Sequence, residues 1–409
     1  MQPILKSCCG VDVHKNMIKV CIAKGPLDSP PKLYTRTFST MTTDLLKFKD
    51  WLKANDVEAV AMESTGVYWK PIFNILEDEY VVILANPQYL KKVPGKKSDV
   101  KDCEWIASLL RCGLIPASFI PRRAIRELRE LNRTRRKLVG MMASEKNRIQ
   151  KVLEDANIKL ASVVSKIDGI SSMNMIQALL SKDKLSREEI ADMARGKLKS
   201  KVDKLVEAMN GKVTDHHRFL LKLHLGNIAF LADQVQEIDE QIQKLMIPFQ
   251  KEKSLVQTIP GISKTSAAAI IAEIGVDMSQ FPTEAHLASW AGICPGNNES
   301  AGVKKSGRIR KGNSYLKAIL IEVAWAASRT KGSSFSAIYN NIAKRRGKKR
   351  ALVAVGHQIL IAVYRTLKTG EPFVDQGAEA VYQRNLEARQ QSAIRLLERS
   401  GYTVAKASA

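Results

Sequence analysis

The first 85 residues contain five short segments with the pattern of β-strands, and their order limits the folds that this chain can adopt. The segments are, in order, Cys8–Val13, Met17–Ala23, Tyr34–Ser39, Val57–Glu63 and Val81–Ala85. A helical pattern over Thr42–Asn55 separates the third segment from the fourth, and a second one precedes the fifth. Three consecutive strands followed by alternating helices and strands predict an α/β domain built on one mixed sheet.

This order is that of an RNase-H-like fold, in which acidic residues collect at one end of the sheet. Asp12 stands in the first strand and Glu63 ends the fourth. Asp99 and Asp102 begin a helical stretch over Ser98–Leu110, and their spacing of three places them on one helix face. A buried carboxylate needs a partner, and Mg²⁺ binds carboxylate, water and phosphate oxygens. We therefore predict that these four acids hold a metal ion against a nucleic-acid phosphate, with ordinary strand-end and first-turn acids as the alternative.

The charge of the chain favours a nucleic-acid partner. It contains 65 Lys and Arg against 41 Asp and Glu, a formal net charge of +24, and such cations neutralise phosphates. No apolar run reaches the roughly 18 residues of a membrane span, and the N-terminus lacks the layout of a signal peptide. The six cysteines form no CxxC pair, which argues against structural zinc and disulfides and predicts a reducing cytoplasm.

Two heptad patterns flank a less informative middle segment. The first runs from about Ala124 to Ala156 with polar interruptions at Arg135 and Glu145, and the second runs from Leu221 to Leu245. They predict two long helices that form an antiparallel coiled-coil arm or a dimerisation element. The segment between them predicts a small helical insertion. Cations crowd the first half of the first helix and predict a nucleic-acid face, with a solvated face as the alternative.

Three histidines lie just before or within the second heptad helix, namely His216, His217 and His224. No acidic or cysteine partner is in register with them along the chain, so packing or solvent roles are favoured over metal binding. His357 lies in an apolar helical pattern, which favours a core or capping role over that of a general base.

Two further motifs follow in the C-terminal half. Ile259-Pro260-Gly261-Ile262 predicts a turn before a helix capped by Ser263, and this resembles a helix-hairpin-helix motif that offers backbone N–H groups to DNA phosphates. Further on, a polar, glycine-punctuated loop over residues 294–313 carries Ser300 followed by five cations. A serine there is a candidate nucleophile, and the cations would stabilise a pentavalent phosphorus. No histidine lies nearby as a base, so a flexible basic loop is the alternative.

Taken together, these motifs resemble the DEDD transposases of the insertion sequence 110 family. The resemblance rests on Asp12-Val13-His14-Lys15, Glu63-Ser64-Thr65-Gly66, Asp99-x-x-Asp102, Ile259-Pro260-Gly261-Ile262, Ser300-Ala301-Gly302 and Gly307-Arg308-Ile309-Arg310-Lys311-Gly312-Asn313. It implies an RNase-H-like (RuvC-like) domain with an acidic tetrad, a coiled coil, and a mainly α C-terminal domain with a catalytic serine.

The resemblance also implies residue roles and partners. By position, Asp12, Glu63, Asp99 and Asp102 match the Mg²⁺-binding tetrad, and Ser300 matches the nucleophile, with Ser306 a distant second. Family members are similar to recombinases guided by a noncoding bridge RNA that pairs with donor and target DNA. The serine attacks a phosphodiester and forms a phosphoserine link before strand exchange. A homodimer or homotetramer associated with a prokaryotic nucleoid is expected.

The predicted domains are residues 1–118 (RuvC-like), 119–253 (coiled-coil helices with an insertion at about 157–213), 254–373 (C-terminal transposase domain) and 374–409 (polar tail). The residues predicted to contact nucleic acid are Lys96, Lys97, Arg129, Arg133, Arg136, Gly261, Lys304, Lys305, Arg308, Arg310, Lys311, Arg345, Arg346, Lys348 and Lys349.

Two other functions fit the same residues. One is a metal-dependent nuclease that resembles Holliday-junction resolvases, in which water attacks instead of Ser300. The other is a basic nucleic-acid-binding scaffold whose active site has decayed.

Overall fold

The computed structural model describes residues 2–64, 66–90, 102–296, 298–300, 303–306 and 308–404, with the backbone alone for residues 88, 298–300 and 303–306. The chain divides into two compact units, Met1–Ile120 and Pro121–Ala409. Among the described residues, no helix combines the length and the apolar character that crossing a membrane requires.

The first unit is built on a five-stranded mixed sheet. Its strands are β1 (Ser7–Val13), β2 (Met17–Lys24), β3 (Lys32–Ser39), β4 (Ala59–Glu63) and β5 (Val81–Ala85). They lie in the order β3-β2-β1-β4-β5. The first three strands pair antiparallel, whereas β1 pairs parallel with β4 and β4 with β5. The predicted five strands are therefore confirmed, each within two residues of its expected bounds.

Helices cover both faces of this sheet. They are α1 (Thr42–Ala54), α2 (Trp69–Leu76), α3 (Pro87–Leu90) and α4 (Asp102–Arg111). One face presents residues such as Val11 and Met62 to a core that includes Phe48 of α1 and Ile72 of α2. The other face carries smaller residues, including Ala61, and packs against α4. The predicted helix over Ser98–Leu110 is described from Asp102 onward, and its first turn, with Asp99, lies outside the described residues.

The second unit is mainly helical. Its helices are α5 (Arg123–Asp155), α6 (Leu160–Val163), α7 (Ile170–Ala178), α8 (Arg187–Met193), α9 (Val202–Ala208), α10 (Asp215–Leu245), α11 (Gln250–Gln257), α12 (Lys264–Ile274), α13 (Glu284–Ala291), α14 (Ser314–Ala327), α15 (Ser334–Arg346), α16 (Lys348–Thr369) and α17 (Gly377–Arg399). Two short strands in the described part of this unit, β6 (Asn298–Ser300) and β7 (Val303–Ser306), pair antiparallel. The helices α6 to α9 correspond to the predicted helical insertion, and they share a core with the ends of α5 and α10.

The long helices α5 and α10 pack against each other in an antiparallel arrangement. Arg135 of α5 donates two hydrogen bonds, of 2.6 and 2.9 Å, to the carboxylate of Asp239. Glu145 is buried and lies 2.7 Å from the His224 ring nitrogen Nδ1. The two polar interruptions of the heptad are thus paired between α5 and α10. Such polar pairs can specify the register in which two helices pack. The two helices are confirmed, and the coiled-coil supertwist stays a prediction.

The histidines of α10 correct one expectation. Along the chain no acid lies in register with them, yet the antiparallel α5 supplies two. The His217 nitrogen Nε2 lies 2.9 Å from Asp155, while His224 pairs with Glu145. Burial acts to raise the pKa of Glu145, but the hydrogen bonds from His224 and Asn227 and the charges of Arg148 and His224 together lower it. Burial also lowers the pKa of His357, which lies in α16.

The cysteines give a first testable prediction. None of the six forms a disulfide in the described residues; Cys8, Cys9, Cys21 and Cys103 are buried, whereas Cys112 and Cys294 are partly accessible. Burial raises the pKa of Cys8 to about 12 and raises that of Cys9 well above its ordinary value. Because the thiolate is the nucleophile, we expect iodoacetamide at pH 8 to modify only the two accessible cysteines of the native protein. Intact-mass spectrometry before and after unfolding measures this, and labelling of Cys8 or Cys9 in the folded protein would contradict it.

Candidate functional site

Two of the predicted acids lie side by side on one face of the sheet. In the parallel β1–β4 pair, Val11 is opposite Met62, so the next residues, Asp12 and Glu63, are aligned at the carboxyl ends of their strands. Side chains alternate between the two faces of a sheet. Because Val11 and Met62 point into the core formed with α1 and α2, Asp12 and Glu63 belong to the face that α4 covers.

A glycine in β1 lets α4 approach this face. A Cβ atom at Gly10 would overlap the Cys103 carbonyl oxygen and the Ala107 amide nitrogen, so the backbones of β1 and α4 are in direct contact. Asp102, the first residue of α4, therefore lies near the end of β1 that carries Asp12. Cys103, the next residue of α4, is also close enough to Asp12 to feel its charge. Burial, and then the charges of Glu104 and Asp12, raise the pKa of the Cys103 thiol.

A metal site formed by these carboxylates stays a prediction. Three hard oxygen donors near one sheet edge suit a divalent cation. However, the described residues contain no group of three carboxylate, imidazole or thiol side chains close enough to hold a metal ion. Asp99, the fourth predicted ligand, lies outside the described residues, as do Lys96 and Lys97.

His14 also belongs to this neighbourhood, although the sequence assigned it no role. Its ring nitrogen Nε2 lies 3.1 Å from the Asp12 carboxylate oxygen Oδ2. The imidazole is 48% exposed and the Asp12 side chain 18%. His14 is in the β1–β2 turn, and its spacing of two from Asp12 is the only signal in the sequence that could have pointed to this pair.

The second candidate centre is a β-hairpin that carries Ser300. The strands β6 and β7 pair Asn298 with Ser306, Glu299 with Lys304 and Ser300 with Val303. Ser300 therefore occupies the last pair before the connection between the strands. The side chains of Ser300, Lys304 and Lys305 lie outside the described residues, so their predicted roles remain predictions.

Close backbone packing holds the base of this hairpin. Pro295 forms an isolated antiparallel bridge with Ile309, and the Gly296 N–H donates to the Arg308 carbonyl at 2.9 Å. Gly292 ends α13 in the left-handed conformation, and a Cβ there would lie 2.9 Å from the backbone nitrogen of Gly312. Both ends of the loop are thus fixed, because glycine permits this conformation and this approach. Of the other predicted cations here, Arg310 donates to the Gly296 carbonyl at 3.2 Å, and Lys311 is exposed.

A buried ion cluster centred on Glu273 connects this base to α5. Glu273 lies in α12 with 1% of its surface exposed. Arg133 donates two hydrogen bonds of 2.8 Å to its carboxylate. Asn313 donates another, at 2.6 Å, and its own side-chain oxygen caps α14. Arg129 donates to the Glu273 carbonyl at 2.6 Å. Glu273 therefore connects Asn313, which follows the hairpin, to two arginines of the long helix: Arg133 binds the carboxylate, and Arg129 binds the carbonyl with its Nε 3.6 Å from the carboxylate.

These contacts give the arginines of α5 partners within the protein. Burial lowers the pKa of Arg129 to about 10, although the charge of Glu273 acts in the opposite direction, so the guanidinium stays protonated at neutral pH. The hydrogen bonds that Arg133 donates to the Glu273 carboxylate raise the pKa of Arg133. Arg136 pairs with Glu322 at 3.0 Å. The nucleic-acid contacts expected of these three arginines stay predictions, and in this structure each side chain is engaged with an acid of its own chain.

The turn between α11 and α12 has the predicted local form. The Ser263 side chain caps α12 by accepting a hydrogen bond from the Ser266 N–H. Gly261 has a φ of +88°, and a Cβ there would lie 2.7 Å from the Val323 carbonyl oxygen of α14. Helix packing therefore already requires glycine at this position. A phosphate contact by Gly261 stays a prediction, as does the helix-hairpin-helix assignment.

Two family models match this chain. The model of DEDD transposases of IS110, described as a transposase, matches residues 9–158. The model described as the transposase IS116/IS110/IS902 family matches residues 253–340. The first match contains the acid-bearing sheet, the second contains the Ser300 hairpin and Glu273, and together they cover more than half of the 409 residues.

Individual relatives match a smaller part of the chain. A pilin gene-inverting protein of Moraxella bovis is 28% identical over 153 residues, which cover 36% of this chain and 47% of that protein. An uncharacterized 43.6 kDa protein of insertion element IS110 from Streptomyces coelicolor is 28% identical over 149 residues, which cover 36% of each chain. The matched stretch thus spans less than half the length of these relatives. With one family model on the sheet and another on the hairpin region, the chain belongs to the IS110 family of DEDD transposases.

Proposed function

We propose that this protein is a DNA recombinase of a mobile element that cuts and rejoins DNA through the hydroxyl of Ser300. The observation that carries the proposal is that family models match both the acid-bearing sheet and the serine-bearing hairpin. The name of one relative, a pilin gene-inverting protein, agrees with a DNA rearrangement.

In this proposal the Ser300 hydroxyl loses its proton and its oxygen bonds to a DNA phosphorus. The bond from that phosphorus to one deoxyribose oxygen breaks, and the oxygen leaves as a hydroxyl. The resulting phosphoserine conserves the energy of the phosphodiester, so a hydroxyl of another strand can reverse the step and complete strand transfer. The cations that follow Ser300 would stabilise charge on the phosphorus oxygens.

The acids of the first unit would act in the same reaction. Asp12, Glu63, Asp99 and Asp102 would hold Mg²⁺, which when bound stabilises negative charge on phosphate oxygens and on the leaving oxygen. The shared face of Asp12 and Glu63 supports this role. Family resemblance further suggests a noncoding guide RNA and a homodimer or homotetramer, in which acids and serine come together within one chain or between chains.

A covalent-adduct assay tests this function. The protein, co-expressed with the noncoding DNA that flanks its gene, is mixed with labelled donor and target duplexes in Mg²⁺ and run on a denaturing gel. We expect a protein–DNA band in the wild type and in the control Ser306→Ala, and no band in Ser300→Ala. The Asp12→Ala variant, and chelation of Mg²⁺, show whether the acids serve the same step.

The same assay distinguishes strand transfer through Ser300 from hydrolysis by water. Hydrolysis is the second candidate because acidic residues at a sheet edge also suit a metal-dependent nuclease. Cleavage that requires Asp12, forms no adduct and survives Ser300→Ala would identify a metal-dependent nuclease with water as the nucleophile. Nucleic-acid binding without cleavage by any variant would instead identify a scaffold.

A further inference from the structure

The cations of the second unit differ in whether the protein already neutralises them. Arg129, Arg133, Arg135 and Arg136 of α5 each pair with a carboxylate. A second cationic run joins the end of α15 to the start of α16, and its side chains are exposed. Its members are Lys344, Arg345, Arg346, Lys348, Lys349 and Arg350. In the described part of the chain, no ion pair involves any of these six. Unpaired cations retain their full attraction for phosphate.

A polar groove lies directly beside this run. It is formed between α15 and α17, has a volume of about 500 Å³, and begins at Lys344. Its lining consists of four amides, two cations, one carboxylate, one aromatic ring and one leucine. The residues are Asn340, Asn341, Lys344, Glu379, Tyr382, Gln383, Asn385, Leu386 and Arg389.

We propose that this groove binds unpaired nucleotides of a polynucleotide strand. The proposal rests on the proposed recombinase function for its biological use, but the binding itself is tested separately. Tyr382 is 50% exposed, and Leu386 one helical turn later is exposed to the same degree. An aromatic ring presented in this way is a platform on which an unpaired base stacks.

The amides suit the edges of such bases. Among the described contacts, the side chains of Asn340 and Asn341 have no hydrogen-bond partner, so their donors and acceptors are available. Gln383 donates to Glu379 at 3.2 Å and Asn385 to the Val381 carbonyl, which leaves the Gln383 and Asn385 side-chain oxygens as acceptors. Amides pair with base edges that are not already engaged in a duplex.

The geometry favours an unpaired strand over a duplex. In a duplex the base faces are stacked on each other, so Tyr382 could not stack on them without unstacking the helix. A helix that reads the major groove must also protrude, whereas these residues line a recess between two helices. Lys344 and Arg389 would neutralise the phosphates of the strand, which would continue onto the exposed cationic run.

Fluorescence anisotropy of the full-length protein tests the groove, with a labelled single-stranded RNA, a DNA of the same sequence, and the corresponding DNA duplex as probes. We expect Tyr382→Ala to weaken binding of the unpaired strand by about 5- to 150-fold and to leave duplex binding within about twofold. Tyr382→Phe should retain affinity because it keeps the ring. Leu396→Ala, an exposed residue of α17 outside the groove, is the matched control.

Two further readouts make the outcome decisive. The double variant Lys344→Ala/Arg389→Ala should reduce the slope of log affinity against log salt by about 0.7 for each cation. Photo-crosslinking of a strand containing 5-iodouracil should label a peptide from α17. If Tyr382→Ala weakened binding of the single strand and of the duplex equally, the proposal would be wrong. It would also be wrong if Tyr382→Ala did not weaken binding and no crosslink formed in α17. The RNA and DNA probes show which polynucleotide the groove prefers.

The two proposals fail independently. If strand transfer through Ser300 is wrong, Tyr382-dependent binding persists while the adduct band is missing. If the groove is wrong, the adduct forms while Tyr382→Ala binds the unpaired strand as the wild type does.

Discussion

Replacing Glu273 by alanine is expected to lower the free energy of unfolding of the second unit by about 3–5 kcal/mol, because it leaves two guanidinium groups without their carboxylate. The side chains of Arg129 and Arg133 are only 17% and 35% exposed, so water cannot fully replace the lost partner. The variant also removes the acceptor of Asn313, which anchors the base of the Ser300 hairpin. Urea denaturation combined with hydrogen exchange of peptides from α12 and α14 measures the loss.

The matched control is Glu322→Ala. Glu322 pairs with Arg136 on the same long helix, but it is 69% exposed, and exposed ion pairs contribute about 0–1 kcal/mol. Glu273→Gln keeps the shape of the side chain and one acceptor oxygen. Its decrease in the free energy of unfolding should therefore lie between those of Glu273→Ala and Glu322→Ala. A Glu273→Ala protein as stable as the Glu322→Ala protein would show that the cluster does not anchor this unit.

Replacing Gly10 by alanine is expected to destabilise the first unit by about 1–3 kcal/mol or more and to abolish the proposed metal-dependent reaction. The added methyl group would overlap backbone atoms of Cys103 and Ala107, and backbone cannot move aside as a flexible side chain can. Helix α4 would have to shift away from β1, and Asp102 would move away from Asp12. Urea denaturation with hydrogen exchange of the first unit measures stability, and the adduct assay measures the reaction.

Gly140→Ala is the control for this change. Gly140 lies in the middle of α5, and a Cβ there meets nothing within 4 Å. Alanine is favoured over glycine inside a helix by roughly 0.5–1 kcal/mol, so this variant should be slightly more stable than the wild type. A Gly10→Ala protein with wild-type stability and full adduct formation would contradict the close packing of α4 on β1.

The sheet could be predicted from the sequence because local patterns determine it. Alternating or continuous apolar residues mark each strand, and Asn86-Pro87 ends β5 where it was expected. The heptads predicted α5 and α10 for the same reason, since burial of one stripe of a helix repeats every three or four residues. The residue type of Ser263 and its place before an apolar helix predict the cap that the structure shows.

The partners of charged residues could not be predicted, because they depend on distant parts of the chain. Glu273 lies in an apolar helix without any sequence signal, and the arginines that bind it precede it by 140 residues or more. The crowded cations of α5 therefore predict a nucleic-acid face, while the structure shows that four of them are neutralised internally. Likewise, the acids that pair with His217 and His224 come from a helix that runs in the opposite direction.

By itself the sequence determined the order of the strands, the two long helices, and the placement of Asp12 and Glu63 at strand ends. It did so because strand and helix periodicities depend only on residues that are close together along the chain. Tertiary structure alone decided that Gly10 brings α4 onto β1, that Glu273 connects the hairpin base to α5, and which cations remain unpaired. Those outcomes depend on backbone distance and on burial, and both arise only when residues far apart in the chain are packed together.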